Sequence, residues 1–210
     1  MNLGADRNPQ LATLAQFGWV LFQRGDRKRI GAVRTLLREL KPMRLRKANL
    51  RPVHSEQAAS STLSKFYGLD RFPPHTDYAH TEEPPHYLIF RSREPRAART
   101  TIYDSLGIPP EMSRRGIFHL STGRNSFYTR FRQSAGDCTF VRFNSVIMRP
   151  VDLAAGVLQQ YILEQMDPAI IIDWKINYMA IIDNWRMLHG RGRAVEGNPP
   201  LQRLAVWSSK

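Results

Sequence analysis

The amino-acid sequence predicts a mainly β protein with flanking helices, built on a sandwich or barrel-like core. Three observations carry this expectation. Short runs rich in aromatic and branched residues recur from Arg71 onward, at 87–90, 100–103, 116–120, 126–131 and 138–143. Prolines, glycines and charged residues separate these runs, as turns separate short strands. Helical spacing of apolar residues is confined to a few segments, mostly near the N-terminus.

Taken in order, residues 11–23 read as a short helix that runs into a strand after Gly18, where Trp19, Val20, Leu21 and Phe22 concentrate. Residues 29–40 place Ile30, Val33, Leu36, Leu37 and Leu40 at helical spacing. Gly25-Asp26 offers a start and Lys41-Pro42 a stop. Residues 41–60 are basic and irregular, so a long loop is expected. A short helix follows at 61–68, with Ser61 or Thr62 as its cap. Residues 152–165 predict a helix capped by Asp152, and strands resume at 170–172, 178–182 and 201–207.

With 210 residues, the chain fits one domain over 1–210. A core at about 70–207 is expected, with helical and strand support from 8–69. Apolar residues make up 42% and charged residues 23%, a globular balance that excludes a disordered or fibrous protein. Cys138 is the single cysteine, so no intrachain disulfide can form. The first ten residues lack an apolar signal core. No apolar run approaches the roughly 20 residues of a membrane helix. The expectation is a soluble, cytoplasmic protein that does not engage a membrane. The formal charge of +13 comes mostly from arginine clusters such as Arg27-Lys28-Arg29 and Arg44, Arg46, Lys47. Such a field suits a solvated surface, or a small anionic substrate or partner. No zinc-finger, RNP or Gly-x-x-Gly pattern points to nucleic acid.

The chemistry concentrates in two segments. In FPPHTDYA, His75 and Asp77 stand at i and i+2, and on an extended chain both point to the same side. One metal ion can take both. An isolated His-x-Asp is ordinarily a pair of polar loop residues, so the second segment decides. There an apolar strand runs into IIDNWRMLHGR, and His189 precedes a glycine turn. Two histidines and one carboxylate on one face of a metal form the facial triad suited to non-haem Fe(II) and O2. Residues 190–200 look like a loop, which predicts a hairpin that brings Arg203 to the strand beside His189.

In combination, these segments resemble the taurine dioxygenase and clavaminate synthase branch of the Fe(II)/2-oxoglutarate-dependent oxygenases. FPPHTDYA, ARTTIYDS, VRFNSVIMRPVDLA, IIDNWRMLHGR and LQRLAVW occur in that family's order, and FGWVLFQRG resembles its early strand. The resemblance implies a double-stranded β-helix, or jelly-roll, core and iron ligation by His75, Asp77 and His189. It implies that Arg203 pairs with the distal carboxylate of 2-oxoglutarate and that the Thr100 hydroxyl also contacts this cosubstrate, with Thr101 as the register alternative. The implied reaction consumes O2, decarboxylates 2-oxoglutarate to succinate and CO2, and oxidises an unactivated carbon of a small amino-acid-like or carboxylated metabolite. Hydroxylation is the simplest outcome, with desaturation or cyclisation as alternatives. A carboxylate at 77 argues against halogenation, because the family's halogenases carry a small residue there. The chain departs from the pattern by being short and by placing Trp207 where many members carry a second basic residue.

Two other readings of the residues stand beside this one: a zinc-type hydrolase using the same triad, and a non-catalytic basic β-barrel that binds an anion. Asn184, Arg186 and Asp183 read as supports for the metal strand. Arg130, Arg132 and Arg142 are candidates for holding an acidic substrate. His80 is placed near the mouth of the site. His54, His86 and His119 read as surface or loop histidines, and Phe72, Tyr78 and Tyr87 as core aromatics.

Overall fold

The computed structural model describes residues 9–208 except 24, 26 and 27. In chain order the helices are α1 (Pro9–Phe17), α2 (Lys28–Leu40), α3 (Leu63–Tyr67), α4 (Pro110–Ser113) and α5 (Leu153–Glu164). The strands are β1 (Trp19–Phe22), β2 (Pro42–Leu50), β3 (Phe72–His75), β4 (Tyr87–Ser92), β5 (Thr100–Asp104), β6 (Phe118–Ser121) and β7 (Ser126–Thr129). They continue with β8 (Arg132–Ala135), β9 (Cys138–Val141), β10 (Met148–Pro150), β11 (Ile170–Ile172), β12 (Met179–Asp183), β13 (Met187–Arg191) and β14 (Leu201–Ser208).

Two antiparallel sheets build the centre. One has the order β1-β12-β4-β14-β2 and the other β11-β5-β13-β3. A three-stranded sheet, β10-β6-β7, and the β8-β9 ribbon complete the strands. Side chains alternate across each strand. From β4, Leu88 and Phe90 meet Ile102, Ile172 and Met187 between the two sheets. The intervening Tyr87 and Ile89 pack with Leu11, Leu14, Ala32 and Leu36 of α1 and α2. Both faces of β4 and β12 are thus covered, which explains why YLIF and MAII are continuous apolar runs instead of alternating ones. Residues beyond the second sheet, including Tyr103 and Leu188, join Phe118, Phe143 and the α5 residues Ala155, Leu158 and Ile162. This mainly β architecture with flanking helices is the predicted fold class.

Local chemistry accounts for the element ends. Gly18 takes φ +76° and donates its N–H to Leu14 O, closing α1 and aiming the chain into β1. A Cβ there would fall 2.5 Å from Met187 Sδ. Asp152 caps α5 by accepting from Ala155 N at 2.8 Å, and also accepts from Ile117 N at 3.1 Å. Thr62 caps α3 by accepting from Lys65 N. On α2, Ala32 and Leu36 are buried but Ile30 is 57% exposed, so the apolar face is narrower than its spacing suggests. Asp26, the expected start of that helix, lies outside the described residues.

Two expectations need correction. Residues 42–50 are not a loop but β2, the edge strand beside β14. Their side chains are mostly exposed, and Arg44 lies over the Trp207 ring at 4.8 Å. Backbone pairing makes this strand, and its charges suit an edge. The expected hairpin between His189 and Arg203 does not form either. β13 and β14 belong to different sheets, so Arg203 faces the site from across the sandwich. No helix among the described residues is long and apolar enough to cross a membrane.

Candidate metal centre and its arginine-lined cavity

His75, Asp77 and His189 come together, and their ligand-type atoms all lie within 4.8 Å of one another. Strand register explains the two histidines. His75 and His189 are direct cross-strand partners on β3 and β13, with ring centroids 4.4 Å apart. His189 therefore sits inside a strand, not before a turn as its glycine suggested. Gly190 is needed for another reason, since a Cβ there would lie 2.7 Å from Phe72 O on β3. Asp77 follows the end of β3 and completes the cluster. Its Oδ1 is 3.8 Å from His75 Nε2 and its Oδ2 is 3.9 Å from His189 Nε2.

The surroundings fix these side chains. His75 Nδ1 meets Pro73 O at 3.0 Å, which turns Nε2 toward Asp77. Thr76, between the ligands, hydrogen-bonds Val141 O through its hydroxyl and accepts from Phe143 N. Asn184, in the turn between β12 and β13, accepts from Asp77 N at 3.1 Å and donates to Asp77 O and Pro85 O. This fully buried amide ties one ligand loop to the strand that carries another ligand. Asp183 accepts from Trp185 N and Arg186 N. Burial pushes its carboxyl up to about 6. Arg186 faces away from the cluster, to Asp104 and Gln16 O. After Asp77 the chain reverses at Tyr78, whose φ of +58° is uncommon for a bulky residue. Arg203 and an edge contact to Trp207 hold that ring.

Burial holds both histidines down. His75 sits below the usual imidazole range, with Asp77 opposing the shift. Burial, reinforced by His75, takes His189 to about 3. Burial alone would raise Asp77, but Arg203 and the two histidines outweigh it and hold the carboxyl below its usual value. Neutral imidazoles and an ionised carboxylate are the forms that bind a metal ion.

The cluster forms part of the wall of a cavity of about 370 Å³. Phe72, Tyr78, Phe90 and Leu201 supply apolar wall, and Arg51, Arg96, Arg191 and Arg203 also line it. Asp77 is the one acidic residue in that lining. Arg203 donates from Nη1 to Asp77 Oδ2 at 2.5 Å and from Nη2 to Tyr78 OH at 3.0 Å. Thr100 lines the cavity and accepts from Trp174 Nε1 at 2.8 Å, whereas Thr101 is not in the lining. His80 lies at the cavity, as expected for the mouth of the site.

Several sequence expectations move. Phe72 and Tyr78 face the cavity, not only core, while Tyr87 is a core residue. Arg130, Arg132 and Arg142 do not line the cavity. Arg142 is buried and donates to Ala79 O, Thr81 O and Glu82 O, so it holds backbone instead of substrate. Of the two readings given for His86, the loop one holds: just before β4 it stacks on Tyr87 and Trp185 and meets Ser208 Oγ. Arg96 was missed. In SREPRAART it is one arginine among several, and only its position on the cavity distinguishes it.

No protein-family model matches the sequence, and no curated protein sequence does. Solved structures show the fold: it is that of Fe-dependent, alpha-ketoglutarate-dependent oxygenases, of jelly-roll type. Asparagine oxygenase, solved with Fe(II), 2S,3S-3-hydroxyasparagine and succinate, is similar at 13% identity and TM-score 0.61, over 77% of this chain and 56% of that one. The chain therefore spans just over half of that oxygenase. The non-heme iron oxygenase OrfP, solved with Fe, succinate and (3S)-hydroxy-L-Arg, is similar at 13% identity and TM-score 0.64, covering 99% of this chain and 81% of that one. PvcB from Pseudomonas aeruginosa is similar at 13% identity and TM-score 0.64, over 95% of this chain and 78% of that one.

Proposed function

We propose that this chain acts as a single-domain Fe(II)/2-oxoglutarate-dependent dioxygenase. Its substrate is a small amino-acid-like or carboxylated metabolite, oxidised at an unactivated carbon, most simply by hydroxylation. The observation that carries the reading is the convergence of buried His75 and His189 and partly buried Asp77 on an arginine-lined cavity within a jelly-roll fold. The donor set fits the metal. His–Asp separations of 3.8 and 3.9 Å place the donors around one point, and a bound ion would draw all three closer together. Two imidazoles and one carboxylate leave an open face for cosubstrate and O2.

His75, Asp77 and His189 hold the iron in this reading, which when bound supplies the oxidative chemistry. The chain supplies position and screening. Pro73 O orients His75, and Asn184 steadies Asp77. Phe72, Phe90 and Leu201 shield the reacting region from bulk water. Arg203 offers a planar fork to the distal carboxylate of 2-oxoglutarate, and its Nε is a buried donor without an acceptor. Thr100 contributes its hydroxyl from the facing sheet. Asparagine oxygenase and OrfP were solved with hydroxylated amino acids, which supports an amino-acid-like substrate here.

The test is anaerobic reconstitution with Fe(II) and 2-oxoglutarate, followed by O2-dependent succinate release and mass spectrometry of candidate products. His75→Ala and His189→Ala are expected to abolish iron-dependent turnover while far-UV circular dichroism is retained. Full activity in both variants would refute the triad. Metal-dependent turnover that needs no O2 would move the reading to a hydrolase.

A further inference from the structure

The cavity holds more positive charge than the metal centre uses. Arg203 already has acceptors in Asp77 and Tyr78. Arg96 and Arg191 line the same cavity. Arg191 lies two residues past His189 on β13, so both point to the same face, and it pairs in register with Thr100 on β5. Arg96 lies in the segment that leads from β4 into Thr100. Its backbone N donates to Trp174 O at 3.0 Å, and Trp174 Nε1 donates to Thr100 Oγ1. Arg96, Thr100 and Arg191 thus form one connected end of the cavity lining, tied together by the buried Trp174 outside it.

We propose that Arg96 and Arg191 form a carboxylate-binding station at this end, distinct from Arg203. It rests on the oxygenase reading for which ligands enter: the carboxylate belongs to the cosubstrate or to the substrate.

Arg191 is fixed and cannot turn away. Its Nη2 donates to Gly68 O at 2.6 Å and Asp70 O at 2.7 Å, and its guanidinium lies 3.6 Å over the Phe72 ring. Its Nε is buried without an acceptor, as are those of Arg96, Arg142 and Arg203. Arg96 differs from the other three. Among the described residues its side chain has no hydrogen bond and no ion pair, although burial lowers it to about 10. Asp70 acts on Arg191 from outside the cavity lining and pairs with Arg193 at 3.7 Å, and no acidic residue among the described residues pairs with Arg96. Two half-buried like charges with spare donors are unfavourable unless an anion lies between them. A carboxylate meets that need, because a guanidinium fork takes its two oxygens in parallel.

The experiment compares wild type with Arg96→Gln and Arg96→Lys, all checked for native circular dichroism. The anaerobic Fe(II) proteins are titrated with 2-oxoglutarate and with 2-oxobutyrate, which lacks the distal carboxylate, following the metal-to-ligand charge-transfer band. If the station takes the cosubstrate, Arg96→Gln weakens 2-oxoglutarate at least about tenfold. It leaves 2-oxobutyrate unchanged, and lysine restores part of the loss. If the station takes the substrate, 2-oxoglutarate affinity is unchanged. L-amino acids then perturb the band of the loaded wild type, their carboxamides do not, and Arg96→Gln removes the difference. Either result supports the station, and no change in both arms overturns it. Absence of the band in wild type would refute the oxygenase reading alone. Calorimetry of the metal-free proteins with succinate then decides: binding lost in Arg96→Gln supports the station, and equal or absent binding overturns it.

Discussion

Arg142 and Arg96 are both drawn away from solvent, and the fold treats them in opposite ways. Arg142 is 1% exposed and gives three hydrogen bonds to the carbonyls of Ala79, Thr81 and Glu82. Phe127 and Phe140 lie 5.3 and 5.5 Å from its guanidinium. Its fork staples the segment just past Asp77 to the neighbouring strands. Arg96 lines a cavity and reaches no acceptor among the described residues. The difference teaches how to sort buried arginines by role. Arg142, with its fork met by backbone, is part of the scaffold, Arg96, with its donors open beside a cavity, is placed for a ligand, and Arg191 combines both, its Nη2 on backbone and its Nε open.

Mutations sharpen this contrast, from the largest effect down. Arg142→Ala strands the buried Ala79 carbonyl and breaks the part-buried hydrogen bonds to Thr81 O and Glu82 O, each worth about 1–3 kcal/mol if left unsatisfied, partly offset by water. Stability to urea should fall by about 3 kcal/mol. A loss under about 1 kcal/mol would mean that the staple is dispensable. Asn184→Ala removes both hydrogen bonds to the Asp77 backbone. Fe(II) affinity should drop about 10- to 100-fold, the usual effect of losing a group that orients a ligand. An unchanged anaerobic Fe(II) titration would detach Asn184 from the metal centre.

Arg203→Ala should weaken 2-oxoglutarate by at least about tenfold, since breaking a buried arginine–carboxylate pair costs about 2–5 kcal/mol. Lysine should rescue only in part, keeping the charge without the fork. Unchanged cosubstrate affinity would transfer the anchoring role to the other end of the cavity. The smallest effect is expected at Arg96. Arg96→Gln removes an unpaired, partly buried cation, so stability should stay within about 0.5 kcal/mol or rise. A loss comparable to that of Arg142→Ala would place Arg96 in the scaffold too.

Much of the fold was legible because its signals are local. Asp152 before an apolar helix, Gly18 after a short one, and the apolar runs of β4 and β12 each announce an element within a few residues. β2 carried no such signal. In PMRLRKANL alternation is confined to Met43-Arg44-Leu45-Arg46 and lapses at Lys47, and the segment is extended because β14 offers a bonding edge along its length. The segment between Arg191 and Leu201 reads as a hairpin loop, yet it carries the chain from one sheet to the other. Loop composition is the same for both routes. Arg130, Arg132 and Arg142 looked as suitable for an acidic ligand as Arg96 or Arg191, because charge type says nothing of which acceptors lie nearby.

By itself the sequence singled out His75, Asp77 and His189 as side chains of metal-binding type, and read His75 and Asp77 as neighbours on one side of an extended segment. β3 in fact ends at His75 and Asp77 stands in the turn beyond it, so the approach of the two carries over while the extended geometry does not. Only the tertiary structure decided that His75 would stand opposite His189, that the β12–β13 turn would lend Asn184 to Asp77, and that Arg203 would reach in from the facing sheet. Those neighbours depend on which strands pair, and pairing follows from burying the apolar faces of many segments at once, a property of the whole chain.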